Sequence, residues 1–366
     1  MGLLERKRER IQGIGRSRFP RARDRRRLLV VRGLARVLQR VQEGRDRETE
    51  QRDGREEQRS ICAAGGGHGS VADCATPPTA GLASCGAARS AWNAETSVRT
   101  ALRGDRSDRA AYASAMQAVR TPAVAGSFYP ADPAELRETV SRLLSAAAPG
   151  APPKALIAPH AGYVYSGPIA ASVFRRLEGA AFSRVVLLGP SHFTHLHGVA
   201  LPGAMAMRTP LGDVPVEDCP LPYNPRAHSL EHALEVVLPF LQATLRPFVL
   251  VPLAVGEAQP EEVGAVLERL WGGPETLIVV SSDLSHYLSY ADAQRADAAS
   301  AKEILALGQL RRGDACGAAP VNGLLAEARR RVLRAELVDL RNSGDTAGDK
   351  DRVVGYGAFA FYERPT

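Results

Sequence analysis

From about residue 116 onward, short runs of Val, Ile and Leu alternate with longer stretches in which apolar residues recur every three or four positions. The first pattern predicts strands and the second amphipathic helices. The expected strands are Lys154–Ala158, Arg184–Gly189, Phe248–Val255, Thr276–Ser281, Glu336–Arg341 and Val353–Tyr362. The expected helices are Pro133–Ser145, Gly167–Leu177, Leu230–Thr244, Pro260–Leu270, Tyr290–Leu307 and Pro320–Val332. Such alternation defines an α/β domain around a largely parallel central sheet flanked by helices. Val185-Val186-Leu187-Leu188 and Leu277-Ile278-Val279-Val280 are continuous apolar runs, so both their faces should be covered by helices. A segment of about 250 residues is large enough for one substantial core. No Gly-rich phosphate loop of the dinucleotide or nucleotide-triphosphate type occurs in it.

The first 115 residues follow no such pattern. Residues 5–59 are Arg-rich with Glu and Asp interspersed, and only Leu28–Val41 is apolar enough for one amphipathic helix. Residues 62–90 turn to Gly, Ala, Ser, Thr and Pro, with little to bury, so this third is expected to be a mostly disordered extension. Charge divides at the same place. The net charge of +7 arises from 24 Lys+Arg against 14 Asp+Glu in residues 1–115, and 23 against 26 in the remainder. The folded segment is thus mildly acidic, and nucleic acid is not its expected partner. Cys62, His68, Cys74 and Cys85 are too widely spaced for the close ligand pairs of a structural zinc site. The chain has 43 Arg and 4 Lys, the mark of GC-rich coding, and Met116 directly precedes the orderly alternation. Translation is therefore expected to start at or near Met116.

No apolar run approaches the roughly 18 residues of a membrane-spanning helix, so no membrane association is expected. Five cysteines fit no disulfide framework and no secretory signal opens the chain, which points to a reducing, cytoplasmic setting.

Chemistry gathers at the ends of three strands. Ala155–Pro159 leads to His160, Val185–Pro190 to Ser191-His192, and Leu277–Val280 to Ser281-Ser282-Asp283 and His286. In open α/β sheets, the carboxyl edge of the strands is where ligands bind. Two imidazoles with a carboxylate or thiolate suit iron, copper or zinc. Cys316, in Asp314-Ala315-Cys316-Gly317, precedes an expected helix, whose unpaired N–H groups favour a thiolate. That thiolate can bind metal or attack carbon, and the same residue also reads as an inert core cysteine. Asp283 and His286, three apart, can act as acid and base on one site. His228, Glu231 and His232 share a face at helical spacing, which could make a ligand cluster but reads first as a polar rim of the site or a solvated face. His195 and His197 are expected in a loop outside the cluster, and Gly344–Asp349 as a polar turn before the last strand, either a simple connector or a loop that closes over the cleft.

Six segments resemble the signatures of the Memo family, whose prokaryotic members are also called AmmeMemoRadiSam system protein B. They are Val124–Pro130, Pro159–Gly167, Gly189–His192, Ser281–Tyr287, Asp314–Gly317 and Ser343–Thr346, in order between about Val119 and Glu363. The resemblance implies a fold similar to the LigB-type class III extradiol dioxygenases. It implies His160, His192 and Cys316 as ligands of an iron or copper ion, with Asp283 and His286 lining the same cleft. It also implies a functional link to AMMECR1-like and radical-SAM proteins. The dioxygenases use two His and a carboxylate; a thiol in the third place means their activity is not simply inherited. Phe193 stands where family members often carry a second His. Three functions stay open: a metal-dependent oxidoreductase-like protein, a binding or scaffold protein, and a Cys-dependent hydrolase using Cys316.

Because the apolar alternation begins only after it, a chain starting at Met116 should melt at the temperature of the full-length protein. A fall of several degrees on removing residues 1–115, measured by calorimetry, would contradict this.

Overall fold

The computed structural model of the protein describes residues 118–364. The expected N-terminal extension, its apolar stretch and its cysteines lie outside the described residues. All six expected strands form, most within a residue or two of the predicted bounds. In chain order the elements are α1 (Pro133–Ser145), β1 (Ala155–Ala158), α2 (Tyr163–Phe174), β2 (Arg184–Pro190), β3 (Val199–Ala200), β4 (Ala206–Thr209) and β5 (Gly212–Pro215). They continue with α3 (Pro225–Ser229), α4 (Ala233–Thr244), β6 (Val249–Val255), α5 (Pro260–Leu270), β7 (Thr276–Ser281) and β8 (His286–Leu288). The last are α6 (Tyr290–Leu305), α7 (Ala318–Arg330), β9 (Arg334–Asn342) and β10 (Val353–Tyr362).

The main sheet runs β3-β6-β2-β7-β1-β10-β8, with β9 paired to β10. Its centre, β6-β2-β7-β1, is parallel. The flanking strands β3, β10, β9 and β8 are antiparallel to their neighbours, so the sheet is mixed around a parallel core. β4 and β5 form a separate hairpin. Alternate residues of the central strands feed two hydrophobic clusters. Leu156, Val185, Leu187, Leu277 and Val279 pack with α1, α2 and α4 on one face. Ile157, Val186, Leu188, Ile278 and Val280 pack with α5, α6 and α7 on the other. The continuous apolar runs are therefore covered on both faces, as their composition requires. Among the described residues, no helix is long and apolar enough to cross a membrane.

Two helices depart from expectation. α2 begins at Tyr163, four residues early, leaving Pro168 inside it. Pro168 cannot donate the hydrogen bond that would have gone to the carbonyl of Val164, a residue on the exposed side of the helix. The stretch expected as one helix over Leu230–Thr244 is preceded by a separate short helix and starts only at Ala233. Asn224 caps α3, with Pro225 in its first turn. A new start is then imposed by the Glu231 carboxylate, which accepts from the His232 and Ala233 amides at 2.9 Å each. The short strands β3, β4, β5 and β8 carry too little periodicity to be read in advance.

The chain entering the fold is locked to α4 by a buried ion pair. Arg120 pairs with Glu235, which is fully buried. Glu235 also accepts from the Ala123 and Val124 amides at 2.7 and 3.0 Å and from the Tyr129 hydroxyl at 2.5 Å. Arg120 donates in addition to the carbonyls of His228, in α3, and Glu231, on the turn between α3 and α4. Removing one partner of such a pair leaves the other buried and uncompensated, at a cost of about 3–5 kcal/mol. Glu235→Gln should lower the melting temperature by roughly 10 °C, at about 2–4 °C per kcal/mol for a domain of this size. A calorimetric shift below 2 °C would show that the pair does not anchor this segment.

Candidate metal centre

The parallel centre sets the site. β1 and β2 both flank β7, and β1 meets β7 in a register that pairs Ala158 with Ser281. His160 and Asp283 each lie two residues beyond that pair, so they emerge at the same level. Asp283 Oδ1 accepts from the His160 amide at 2.8 Å, tying the two strand ends together. His192 emerges from β2 on the other side of β7. Cys316 arrives from the opposite direction, two residues ahead of α7, whose N-cap is Gly317. A Cβ at position 317 would stand 2.7 Å from Ser282 Cβ, so glycine is what lets this segment press onto the end of β7. The contact is fixed by hydrogen bonds from Gly317 N to Ser282 Oγ at 3.0 Å and from Asp283 N to Cys316 Sγ at 3.3 Å.

The ligand atoms of His160, His192 and Cys316 consequently lie within 4.8 Å of one another. Cys316 Sγ is 3.4 Å from His160 Nε2. His160 is 1% exposed, whereas His192 and Cys316 are half-buried. The tautomers follow from the partners of the other ring nitrogens. Ser281 Oγ gives its own proton to the Ala233 carbonyl at 2.6 Å, so it accepts from His160 Nδ1 at 2.8 Å. Glu231 accepts from His192 Nδ1 at 2.9 Å. Both Nε2 atoms are left for the cluster.

Burial opposes ionisation of the Cys316 thiol, but the imidazoles of His160 and then His192 outweigh it and bring its pKa down to about 6. The lowering comes from two imidazoles and not from the helix N–H groups that the sequence suggested. Burial also opposes charge on His192, yet the Glu231 carboxylate and the Cys316 sulfur raise its pKa well above the usual imidazole value. For Glu231, burial is overcome by His192, and its carboxyl is held well below the usual range. Asp283 is raised by burial, against the pull of His286 and the His160 amide. His286 is lowered by burial, and its Nδ1 donates to Leu284 O at 2.8 Å, leaving Nε2 as an acceptor. Tyr287, next to it, holds φ at +59°, an uncommon conformation for a bulky residue, of the kind found at functional sites.

Two members of the site were read from sequence as a solvated face or a rim. Glu231 is 2% exposed and belongs to the cluster's support, and a second donor group joins His192, Glu231 and His232. The His232 ring stacks on His192 at 4.7 Å and meets His160 edge-on at 5.3 Å, with its Nδ1 buried and without a hydrogen-bond partner. Nor do His228, Glu231 and His232 share a helical face, because the break between α3 and α4 falls among them. His228 is buried elsewhere, against the Ala200 carbonyl at 2.8 Å. The missed signal was the Glu-His pair abutting the largely apolar helix α4, a position that burial, not solvation, should claim. His195 and His197 lie outside the cluster on exposed positions. Ser343–Asp345 form a single 3₁₀ turn within the expected polar connector.

Comparison with known proteins gives a family. The model of Memo-like proteins matches residues 120–360. A MEMO1 family protein of Aquifex aeolicus is 38% identical over 267 residues, covering 66% of this chain and 99% of the relative. Those of Archaeoglobus fulgidus and Sulfolobus acidocaldarius are 34% and 31% identical, each with 66% of this chain and 99% of the relative covered. The chain belongs to the Memo family.

The thiol's environment predicts its reactivity. In chelator-treated protein, alkylation of Cys316 by iodoacetamide should rise with a midpoint near pH 6 and level off roughly one to two pH units higher. His160→Ala should move the midpoint upward, toward the ordinary thiol value of about 8.5. A midpoint already above pH 8 in the wild type, read by peptide mass spectrometry, would show that the imidazoles do not act on the sulfur.

Proposed function

We propose that His160, His192 and Cys316 hold one iron or copper ion, and that the protein carries out redox chemistry on a small molecule at the strand ends. The observation that supports this most is the orientation of the two imidazoles. Each has its Nδ1 engaged, by Ser281 Oγ or by Glu231, which leaves Nε2 for the cluster; His160 Nε2 stands 3.4 Å from the Cys316 sulfur, and a ring nitrogen of His192 lies within 4.8 Å of it. Outer partners of this kind fix the tautomer of a ligating histidine and raise its basicity. Two imidazoles and a thiolate suit copper, iron or zinc, and the soft sulfur favours copper over the all-oxygen metals. A bound iron or copper ion would supply one-electron redox chemistry and Lewis acidity.

The remaining groups belong to the chain itself. The neutral His286 imidazole, with Nδ1 committed to a carbonyl, can take a proton at Nε2. Asp283, raised by burial and coupled to His286, can hold that proton nearby while its Oδ1 keeps the His160 backbone in place. The cleft resembling that of the extradiol dioxygenases is part of this proposal, as is the link to AMMECR1-like and radical-SAM proteins.

One observation favours a second reading. A thiol held to about 6 and standing 3.4 Å from an imidazole nitrogen is also the arrangement of a Cys-His nucleophile. A hydrolase of that kind needs one base, however, and leaves the second converging imidazole without a task.

Metal stoichiometry decides between them. Protein purified without chelator should hold about one iron or copper ion per chain, and His160→Ala, His192→Ala and Cys316→Ser should each lose most of it. Cys316→Ser should weaken copper more than ferrous iron, since a hydroxyl is a harder and poorly ionised donor. Asp283→Asn, which keeps an oxygen for the His160 amide, should retain the metal and alter turnover. Unchanged metal content in the first three variants, or loss in the fourth alone, would overturn the assignment. Cys316 alkylation indifferent to added metal would favour the hydrolase.

A further inference from the structure

Three residues beyond His192, the loop leaving β2 carries a second imidazole pair. His195 and His197 are exposed, with ring planes at 82° and centroids 4.6 Å apart. Their Nε2 atoms face each other at 3.1 Å. Glu257, two residues past β6, brings a carboxylate oxygen 3.7 Å from His197 Nδ1. Ligand atoms of all three residues lie within 4.8 Å of one another.

The backbone holds this group in shape. Glu257 N donates to Leu196 O at 2.7 Å, Gly198 N to Glu257 O at 2.9 Å, and Gly256 N to Gly198 O at 2.9 Å. A Cβ at position 256 would stand 1.9 Å from Leu196 O, so the approach of the two segments requires glycine there. The three side chains are therefore presented from two segments clamped together, and little backbone ordering is left for a ligand to impose.

Two imidazole nitrogens facing at this distance share either a proton or a cation. A cation bound at about 2.05 Å to each would see them at roughly 98°, between the square-planar and tetrahedral angles. The Glu257 carboxylate beside His197 Nδ1 favours the tautomer whose Nε2 lone pair points at His195. It also supplies the negative charge that a dication wants. Its existing partner, Arg312, is 3.4 Å away and 76% exposed, a contact worth less than about 1 kcal/mol.

We infer that His195, His197 and Glu257 form a surface site for a borderline divalent cation, Cu²⁺ or Zn²⁺, with water completing the coordination. The site shares no residue with the buried cluster, though it lies near it along the chain. His195 is three residues from His192, and Arg312, which reaches Glu257, is four residues from Cys316.

The test is calorimetric titration of Zn²⁺ into full-length, chelator-stripped wild type and into the His195→Ala/His197→Ala double variant. The double variant should bind one equivalent fewer, with an unchanged melting temperature in the absence of metal because both side chains are exposed. Glu257→Gln should keep that equivalent but weaken it by roughly tenfold or more. Cu²⁺ in place of Zn²⁺ should give an electron paramagnetic resonance signal with coupling to two nitrogens, absent from the double variant and retained in Cys316→Ser. Equal stoichiometry in the wild type and the double variant would overturn the inference. Loss of the same equivalent from Cys316→Ser alone would also overturn it, by assigning that cation to the buried cluster.

Discussion

A single buried carboxylate, Glu231, organises the site and part of the fold around it. It accepts from the His192 amide and ring Nδ1 and from the amides of His232 and Ala233. The same group thus orients one imidazole and starts helix α4. A carboxylate with so many donors stays ionised even when buried, which accounts for the direction of its shift. The arrangement is closed from below: Arg120 grips the Glu231 carbonyl and pairs with Glu235 one turn into α4. The fold's entry segment and the ligand loop are consequently one hydrogen-bonded assembly.

The electrostatics of the cluster are balanced between neighbours. Cys316 and His192 each overcome a burial penalty because the other, with His160 or Glu231, supplies compensating charge. A thiolate and an imidazolium in contact are a stable ion pair in a low-dielectric site, and a metal cation can take the proton's place between the same atoms. The protein need not rearrange for that exchange, since the second nitrogen of each ring is already anchored. This is why the orientation of the rings supports a metal reading more than the proximity of the three residues alone.

The site also illustrates why the carboxyl edge of a parallel sheet collects chemistry. Strands β1 and β2 both pair with β7, so residues separated by up to 123 positions in sequence, such as His160 and Asp283, end side by side. Helices on both faces exclude water from the strands, and His160, His192 and Asp283 stand just beyond their carboxyl ends. Cys316 completes the group only because Gly317 permits close contact with Ser282.

The periodicity of apolar residues was sufficient to define the α/β class, the six principal strands and most helices, because burial on two faces and on one face leave different signatures in sequence. It also placed His160, His192 and Asp283 at strand ends, since a polar residue directly after a buried strand has only the edge to occupy. It did not decide whether Glu231 and His232 belong to the site or to a solvated face. Their spacing fits a solvated helical face equally well, and only the break between α3 and α4, set by Glu231's own hydrogen bonds, turns them inward. The strand order, the tautomers and the shift of the Cys316 thiol were likewise decided by the tertiary structure, because each depends on distances between segments remote along the chain.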